Sequence, residues 1–275
     1  MNDTSVSAST QDACVMAEQE NHIEWLTLNQ PNKRNALSSS MIATLSNALT
    51  RAYNNPQTRV IVLTANGPVF SAGHDLSEIS PIDGETNDKR DQRIRTLLSK
   101  CADMMMGIVN APKPVIASVQ GTATAAGCQL VSACDLAIAA SDAHFCTPGV
   151  NIGIFCTTPL VGIGRNIARK HAMEMALTGD MYSAEQAERF GLINRHVEKP
   201  LLRQETKQLA EKIAARSAQG IKLGKAAFYH QIDLPLAEAF AYANESMHCS
   251  ITSGGDADEG RNAFLEKRAP KWGDA

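Results

Sequence analysis

The feature that most constrains the fold is an order of elements that recurs along the first two-thirds of the chain. A short run of apolar, β-forming residues is followed by a loop of small residues, then by a segment with helical periodicity. Continuous apolar runs of this kind are typical of strands that are covered on both faces. The clearest runs span residues 59–64, 115–119 and 136–139. The order predicts an α/β fold with a repeated ββα-like unit, and a coiled superhelix is one way to stack such units.

The last third of the chain is dominated by helical signals. Ser183 and Gln186 form a capping box that opens a helix ending at Gly191, and amphipathic segments continue to the C-terminal region. We therefore divide the chain into a flexible polar lead over residues 1–13, an α/β core over residues 14–200 and a helical C-terminal subdomain over residues 201–275.

Two local predictions concern the connections between these elements. Residues 80–91 are polar and contain Pro, Gly and Asp, so we expect a mobile segment before a long helix over residues 92–109. A further helix is predicted over residues 166–178, because Gly179 is a suitable residue to end it.

Charge and hydropathy exclude several classes of function. The chain has 26 basic and 29 acidic residues, a net charge of −3, so it lacks the basic surplus of most nucleic-acid-binding proteins. No apolar run reaches the length of a membrane span, and the N-terminal residues lack the pattern of a secretory signal. We expect a cytoplasmic protein with neither a nucleic-acid nor a membrane partner.

The seven cysteines show no CxxC pair and no zinc-type spacing. Several lie within apolar or small-residue stretches, which is typical of reduced, buried thiols in a reducing compartment. The cysteines therefore predict no metal site.

Two loops share a pattern that suits the binding of a carbonyl group. Residues 70–76 and residues 121–130 each follow a buried strand, contain small residues and lead into a helix. Small residues allow a ligand to approach the backbone, and the first N–H groups of a helix are unpaired. Two such N–H groups that meet at one point form an oxyanion hole, whereas the alternative is a pair of tight turns whose small residues only permit packing.

The order of several short motifs resembles the enoyl-CoA hydratase/isomerase family, the crotonases, from about His22 to the C-terminus. Each motif is weak alone, but their order and intervals are specific. The motifs are PNKRNAL at 31–37, FSAGHDL at 70–76, VQG at 119–121, AGCQL at 126–130, CDL at 134–136, LTG at 177–179, AERFGLI at 187–193 and EGRNAFLEKR at 259–268. The resemblance implies a crotonase superhelix of ββα units, a homotrimer or dimer of trimers assembled through the C-terminal subdomain, and an acyl-CoA ligand.

By the same resemblance, the oxyanion donors are the backbone N–H groups of His74 and Ala126. The family usually has glycine at the position of Ala126, but alanine retains its N–H. Coenzyme A enters as part of the substrate, and no covalently bound cofactor or metal is implied. The implied coenzyme A contacts are Lys33, Arg34, Ala72, Gly73, Asp75, Leu76, Phe264 and Lys267.

The sequence departs from the family where the hydratases carry their two glutamates. These positions hold Gln129 and Gly149. Glutamine can orient a water molecule but cannot accept a proton at neutral pH, and glycine has no side chain. The loss of a carboxylate at 149 suggests an apolar acyl pocket lined by Ile152, Ile154 and Phe155.

No other residue is an obvious general base. A third position used in some family members holds Thr157, which is a poor base. The His74 imidazole titrates near neutrality, but we expect an ordinary surface or hydrogen-bonded histidine. We expect Asp75 to cap the short helix that follows it.

The sequence therefore leaves three functions open. The first is thioester chemistry through the oxyanion hole, with enoyl-CoA hydration in fatty-acid metabolism as the family default. Isomerase or thioesterase chemistry with a different base is a variant of it. The second is a non-catalytic fatty acyl-CoA carrier or sensor, and the third is a structural subunit that uses only the oligomeric fold.

Overall fold

The computed structural model describes residues 14–273 and consists of two sheets and a set of covering helices. The larger sheet has the strand order β1-β2-β3-β5-β7-β10, and the smaller sheet has the order β4-β6-β8-β9. The strands are β1 Val15–Glu20, β2 Ile23–Leu28, β3 Val60–Ala65, β4 Val69–Ser71, β5 Val115–Val119, β6 Thr122–Thr124, β7 Leu136–Ala140, β8 His144–Cys146, β9 Tyr182–Ser183 and β10 Arg195–Val197.

Helices follow the strands in a regular order. The helices are α1 Ser39–Asn54, α2 Asn87–Val109, α3 Ala126–Ala133, α4 Pro159–Asn166, α5 Arg169–Thr178, α6 Ala184–Phe190, α7 Leu202–Ala214, α8 Ala218–Gln231, α9 Leu236–Thr252 and α10 Asp256–Leu265. Short 3-10 turns span Pro31–Lys33, Leu76–Glu78, Pro148–Ile152 and Lys199–Leu201.

The predicted ββα unit is confirmed by the way the chain alternates between the two sheets. A strand of the larger sheet is followed by a short strand of the smaller sheet and then by a helix, as in β3-β4-α2, β5-β6-α3 and β7-β8-α4. Within the larger sheet β1 and β2 are antiparallel, and all other neighbouring strands are parallel. Each unit places the loop after its short strand at the same edge of the molecule.

The central strands β3, β5 and β7 of the larger sheet are buried on both faces, which explains their continuous apolar runs. Leu26 and Leu63 belong to the main core with α1 and α2, whereas Trp25 and Val62 point to the opposite face. Ala210 of α7 completes that second cluster. Complete burial of each large aliphatic side chain contributes about 1.5–3 kcal/mol, so the sheet is the rigid part to which the loops are attached.

Two of the local predictions are wrong. Helix α2 begins at Asn87 and is capped by the Thr86 side chain, so part of the segment predicted to be mobile is the first turn of that helix. Arg93 of this helix forms an ion pair with Glu85 of the predicted mobile segment, with 2.6 Å between the nitrogen and oxygen atoms. The start of the helix predicted over residues 166–178 is misplaced by three residues, because Ile167 is extended and α5 begins at Arg169.

The capping predictions are confirmed. Ser183 and Gln186 form the reciprocal capping box, and α6 ends at Gly191 in the left-handed region. Gly179 ends α5 in the same way, with φ of 68°. All seven cysteines are free thiols, of which Cys14 is half-buried, Cys249 is exposed and the rest are buried.

The C-terminal helices lie against the core through a buried ion pair. Lys225 of α8 donates to Asp135 at 2.7 Å and to the backbone carbonyls of Ile108 and Lys113. The three-part division of the chain stays a prediction, and its lead over residues 1–13 lies outside the described residues. No helix within residues 14–273 is both long enough and apolar enough to cross a membrane.

Candidate functional site

The two loops singled out in the sequence meet in space. Gly73 has φ of +82°, and a Cβ atom added to it would lie 3.0 Å from the Ala125 Cβ and 3.2 Å from the Ala126 amide nitrogen. A Cβ added to Gly127 would lie 2.3 Å from the Ser71 carbonyl oxygen. The backbones therefore approach to distances that only glycine permits at these two positions.

The amide groups of His74 and Ala126 are both available at this junction. Neither N–H donates to an acceptor within residues 14–273. Ala126 is the first residue of α3, where an unpaired N–H and a partial positive charge are expected. The arrangement can stabilise negative charge on an oxygen atom that both groups reach.

Ala125 stands in a strained conformation immediately before α3. Its φ of 48° and ψ of −120° lie in a region that residues with a side chain rarely occupy. Its amide is held by the Cys146 carbonyl at 2.9 Å, and its own carbonyl accepts from the Gln129 amide at 3.0 Å. Strain of this kind costs about 1–3 kcal/mol and is concentrated at functional sites, so the turn is held by its surroundings.

A groove of 570 Å³ opens beside the junction and collects most of the residues that the resemblance assigns to coenzyme A. It is lined by Lys33, Arg34, Ala36, Ala72, His74, Asp75, Leu76, Ser77 and Thr124. Two cationic side chains at such a groove suit a ligand with phosphate groups. Phe264 and Lys267 do not line the groove, and Phe264 lies at a separate cavity near Trp272.

The wall of the groove is fixed by a residue that sequence reasoning did not single out. Asn35 is fully buried, and its amide nitrogen donates to the carbonyls of Asn66 and Val69. The backbones of the two loops also pair directly, because the Ala72 amide donates to the Arg34 carbonyl at 3.0 Å. The signal for it in the sequence is an asparagine inside the PNKRNAL motif, since a buried amide there needs several partners.

The His74 imidazole lines the groove in its neutral form. Burial lowers its pKa, an effect that the nearby Leu37 carbonyl and Glu78 oppose. Nδ1 lies 3.3 Å from the Leu37 carbonyl oxygen, to which it donates in the neutral ring. Nε2 is buried without a partner in the described part of the chain, so its lone pair is unpaired but shielded from the groove. The predicted hydrogen-bonded histidine is present, and it retains a proton acceptor.

Asp75 lies at the other side of the same turn and serves as a cap, as predicted. Its carboxylate accepts from the Ser77 amide at 2.9 Å and from the Ser77 hydroxyl at 2.7 Å. The Ser77 hydrogen bonds lower the pKa of Asp75, and Lys33 adds to that effect. Asp75 therefore fixes the turn that presents the His74 amide.

The two glutamate positions differ in their surroundings. Gln129 is 8% exposed, and its Oε1 atom has no hydrogen-bond partner in residues 14–273. A Cβ atom added to Gly149 would lie 2.3 Å from the Ile154 carbonyl oxygen and 2.8 Å from the Cys156 sulfur. The loop therefore has no room for any side chain at 149.

This geometry corrects the idea of an acyl pocket opened by Gly149. The missing side chain leaves no empty space, because the loop folds back and the Ile154 amide donates to the Gly149 carbonyl at 2.9 Å. Ile152, Ile154 and Phe155 are exposed on the surface of this chain. These three residues therefore do not enclose an apolar pocket at Gly149.

Neither Thr157 nor the nearby cysteines provide a base. Thr157 is exposed and its hydroxyl donates to the Phe155 carbonyl at 3.3 Å. Burial raises the pKa of the Cys146 thiol to about 12 and also raises the pKa values of Cys128 and Cys156. These thiols remain protonated at neutral pH and are poor nucleophiles.

Potential metal ligands lie outside the groove. The ligand atoms of Glu245, His248 and Cys249 on the exposed face of α9 fall within 4.8 Å of one another. No comparable group borders the groove in the part of the chain that the structure describes. The absence of a metal stays a prediction.

Comparison with known proteins was made on sequence and on structure. The profile of the family described as enoyl-CoA hydratase/isomerase matches residues 18–275. The rat protein named enoyl-CoA hydratase domain-containing protein 3, mitochondrial, is 42% identical over 254 residues, which cover 92% of this chain and 82% of the rat protein.

Two crystal structures share both fold and sequence with this chain. The human enoyl-CoA hydratase domain-containing protein 3 has a TM-score of 0.89 at 40% identity, covering 94% of this chain and 100% of the human chain. An enoyl-CoA hydratase of Mycobacterium smegmatis has a TM-score of 0.88 at 42% identity, covering 94% and 98% of the two chains.

The comparison also corrects the expected location. The rat, mouse and human relatives are named as mitochondrial proteins. The prediction of a cytoplasmic protein, which was based on the composition and the polar N-terminal residues, is therefore wrong.

Proposed function

The chain belongs to the enoyl-CoA hydratase/isomerase family and has its crotonase fold, and from this premise we propose that it binds acyl-CoA thioesters without glutamate-based hydration. The thioester carbonyl is held by the His74 and Ala126 amides, and coenzyme A lies in the groove beside them. The close approach of Gly73 to the Ala126 amide nitrogen carries this proposal, because Gly73 directly precedes His74, whose N–H is the other proposed donor.

The groove residues have complementary roles in this proposal. Lys33 and Arg34 are cationic and attract the phosphates of coenzyme A, while the backbone of Ala72 and Leu76 provides the wall along which its chain lies. The oxyanion donors polarise the thioester, and a single donor of this kind is worth about 10²–10³ in rate where chemistry follows. No carboxylate is available at Gln129 or Gly149 to activate water.

Binding without turnover is therefore the expected behaviour with 2-enoyl-CoA. The purified protein is titrated with coenzyme A, crotonyl-CoA and longer acyl-CoAs by calorimetry, and loss of the enoyl thioester is followed in parallel. Binding of the thioesters with no hydration supports the proposal. Hydration at a rate typical of enzymes, on the order of 1–10³ s⁻¹, would contradict it.

Substitutions separate the groove from the oxyanion donors. Lys33→Ala and Arg34→Ala are expected to weaken the binding of free coenzyme A and of acyl-CoA equally. Gly73→Ala disturbs the junction of the two loops and is expected to weaken the binding of the thioesters more than that of free coenzyme A. Lys170→Ala is the matched control, because Lys170 is an exposed lysine outside the groove. If all four variants bind coenzyme A and acyl-CoA with equal affinity, the groove is not the binding site.

A second candidate is enolate chemistry with His74 as the proton acceptor. It is favoured by one observation, the unpartnered Nε2 atom of a neutral imidazole at the groove. Because Nε2 is buried in the structure, this chemistry requires the imidazole to become exposed to the groove. It would then remove a proton from the α-carbon of the bound thioester while the amides hold the enolate oxygen. Exchange of α-hydrogen for deuterium in butyryl-CoA tests it, and retention of exchange in His74→Gln would exclude His74 as the base.

The assembly is part of the same proposal. Phe264 is 83% exposed and does not line the groove of its own chain, and the family resemblance places Phe264 and Lys267 at the groove of a neighbouring subunit. A homotrimer or dimer of trimers is therefore proposed. Light scattering on the purified protein measures the mass, and a monomer that binds acyl-CoA with full affinity would contradict a shared site.

A further inference from the structure

Helix α9 carries three side chains on one exposed face that are able to bind a metal ion. Glu245 lies three residues before His248 and four residues before Cys249, and side chains at these spacings are neighbours on a helix surface. A carboxylate oxygen, an imidazole nitrogen and the Cys249 sulfur lie within 4.8 Å of one another, and all three residues are exposed. None of the three lines the groove, so the cluster is separate from the candidate site already described.

The distance between two of these atoms suits a shared tetrahedral ion. The Cys249 sulfur lies 3.5 Å from the Glu245 Oε1 atom. Zinc bonds of about 2.3 Å to sulfur and about 2.0 Å to oxygen, at the tetrahedral angle, place the two ligand atoms about 3.5 Å apart. The sulfur and the oxygen are therefore already at the separation that a bound zinc ion requires.

A proton lies between the same two atoms. The Cys249 thiol donates to the Glu245 carboxylate, and this hydrogen bond raises the pKa of Cys249. A zinc ion takes the place of that proton: the S–H bond breaks, the Zn–S bond forms and the proton passes to the solvent. The carboxylate then contacts the ion instead of the thiol hydrogen.

His248 is able to supply the third ligand without giving up another contact. Its imidazole forms no hydrogen bond and no ion pair within the part of the chain that the structure describes. Only its backbone carbonyl is engaged, and it accepts from the Thr252 hydroxyl at 2.8 Å. Exposed side chains change rotamer within picoseconds to nanoseconds, so the ring turns toward an ion at little cost.

The end of the helix favours a cation at this position. Cys249 lies in the last turn of α9, where unpaired carbonyl groups give a partial negative charge, and that turn contains no basic residue. Arg261 of α10 donates to the Ile251 carbonyl and is paired with Asp258. The charge of Glu245 is therefore not neutralised by a basic side chain of its own helix end.

The accessibility of the thiols identifies Cys249 as the cysteine that an ion reaches first. Among residues 14–273, Cys249 is the one exposed cysteine, Cys14 is half-buried and the other five are buried. The sequence predicted no metal because it shows neither CxxC pairs nor zinc-type spacing. A site with one cysteine, one histidine and one glutamate, all within about one helical turn, contains no such pair.

We propose that Glu245, His248 and Cys249 form a zinc-binding site, with a water molecule as the fourth ligand. Sulfur, nitrogen and oxygen donors in a tetrahedral arrangement are the ligands that Zn²⁺ takes in proteins. Ca²⁺ and Mg²⁺ instead prefer a shell of oxygen atoms. The ion joins side chains from the last two turns of α9, so its binding stabilises that end of the helix.

Calorimetry of the reduced, untagged protein with Zn²⁺ tests the proposal. One ion per chain is expected to bind, and release of the Cys249 proton makes the measured enthalpy depend on the ionisation enthalpy of the buffer. Co²⁺ is the spectroscopic probe, because a cobalt ion bound to sulfur gives a thiolate charge-transfer band. Mg²⁺ at the same concentration is expected not to bind.

Three single substitutions remove the ligands one at a time. Glu245→Gln, His248→Gln and Cys249→Ser are each expected to weaken Zn²⁺ binding by at least about tenfold, since loss of a group that only orients a ligand already costs about 10–100-fold. Cys249→Ser also abolishes the cobalt charge-transfer band. Glu238→Gln and Cys14→Ser are the matched controls, because Glu238 is exposed on the same helix and Cys14 is the other thiol that is not buried.

The three ligands are exposed, so the variants are expected to keep the fold, and an unchanged circular dichroism spectrum checks this. Zn²⁺ affinity that falls in the three ligand variants and stays unchanged in the two controls supports the proposal. No binding of Zn²⁺ at micromolar concentration would overturn it. Equal affinity in the wild type and the three ligand variants, or a cobalt charge-transfer band that survives Cys249→Ser, would also overturn it.

Discussion

The amide of Gly149 donates a hydrogen bond to the Cys156 sulfur across 3.3 Å, and this contact closes the loop where a hydratase of the family carries its second glutamate. The sulfur and the Ile154 carbonyl oxygen occupy the space that a side chain at 149 would need. The loop of this chain therefore leaves no room for a glutamate side chain at 149.

Restoring the glutamates is expected to fail. Gly149→Glu forces its Cβ to within 2.3 Å of the Ile154 carbonyl oxygen, so the loop must move. Overpacking of this kind costs about 1–3 kcal/mol or more, measured as the free energy of unfolding in urea. The Gln129→Glu, Gly149→Glu double variant gains no hydratase activity. Gln129→Glu alone is the control, because it lacks the overpacking at residue 149. Strong hydratase activity of the double variant would contradict the prediction and would show that the loop adapts to the new side chain.

The strained turn before α3 allows a stabilising substitution. Ala125→Gly relieves a backbone conformation that costs about 1–3 kcal/mol, and the greater freedom of glycine in the unfolded chain offsets about 0.4–1 kcal/mol. A net gain of about 1 kcal/mol is expected in urea unfolding. Ala133→Gly at the other end of the same helix has no such strain and is expected to lose about 1 kcal/mol. A loss in both variants would contradict the role of strain at Ala125.

A buried ion pair joins helix α8 to the core. The side chains of Lys225 and Asp135 are 8% and 15% exposed. Lys225→Met leaves the Asp135 carboxylate without its cation and is expected to cost about 3–5 kcal/mol of unfolding free energy.

The exposed pair of Lys199 and Asp142, 49% and 57% exposed, is the matched control for that measurement. Lys199→Met is expected to cost at most about 1 kcal/mol. Losses of similar size in the two variants would mean that burial of the Lys225 pair has little effect.

The sequence was sufficient where short-range chemistry determines the structure. The Ser183 capping box, the helix end at Gly179 and the buried strands were predicted because caps, turns and apolar runs act within a few residues. The beginning of α2 was missed, since the Thr86 cap is followed by polar residues that are typical of loops as well as of first turns.

In the candidate site, too, the sequence predicted one feature, the groove, and missed another, the closed loop at Gly149. The motifs placed Lys33 and His74 at one groove because the family pattern fixes their order. The packing of Cys156 against Gly149 depends on how residues 149–156 return on themselves, and a single sequence contains no periodic signal for that.

The buried imidazole of His74 predicts a dependence of stability on pH. Burial lowers the pKa of His74 below its ordinary value of 6.5, so the unfolded chain binds a proton at a higher pH than the folded chain does. The slope of unfolding free energy with pH is then positive in the interval between the two pKa values. The contribution of His74 is complete above about pH 6.5 and is lost as the pH falls toward the lower, folded-state pKa. Urea unfolding of the wild type and His74→Gln from about pH 8 to about pH 5 measures it, with the wild type losing more stability than the variant. Parallel curves for the two proteins would mean that the imidazole takes up its proton as readily in the folded groove as in water.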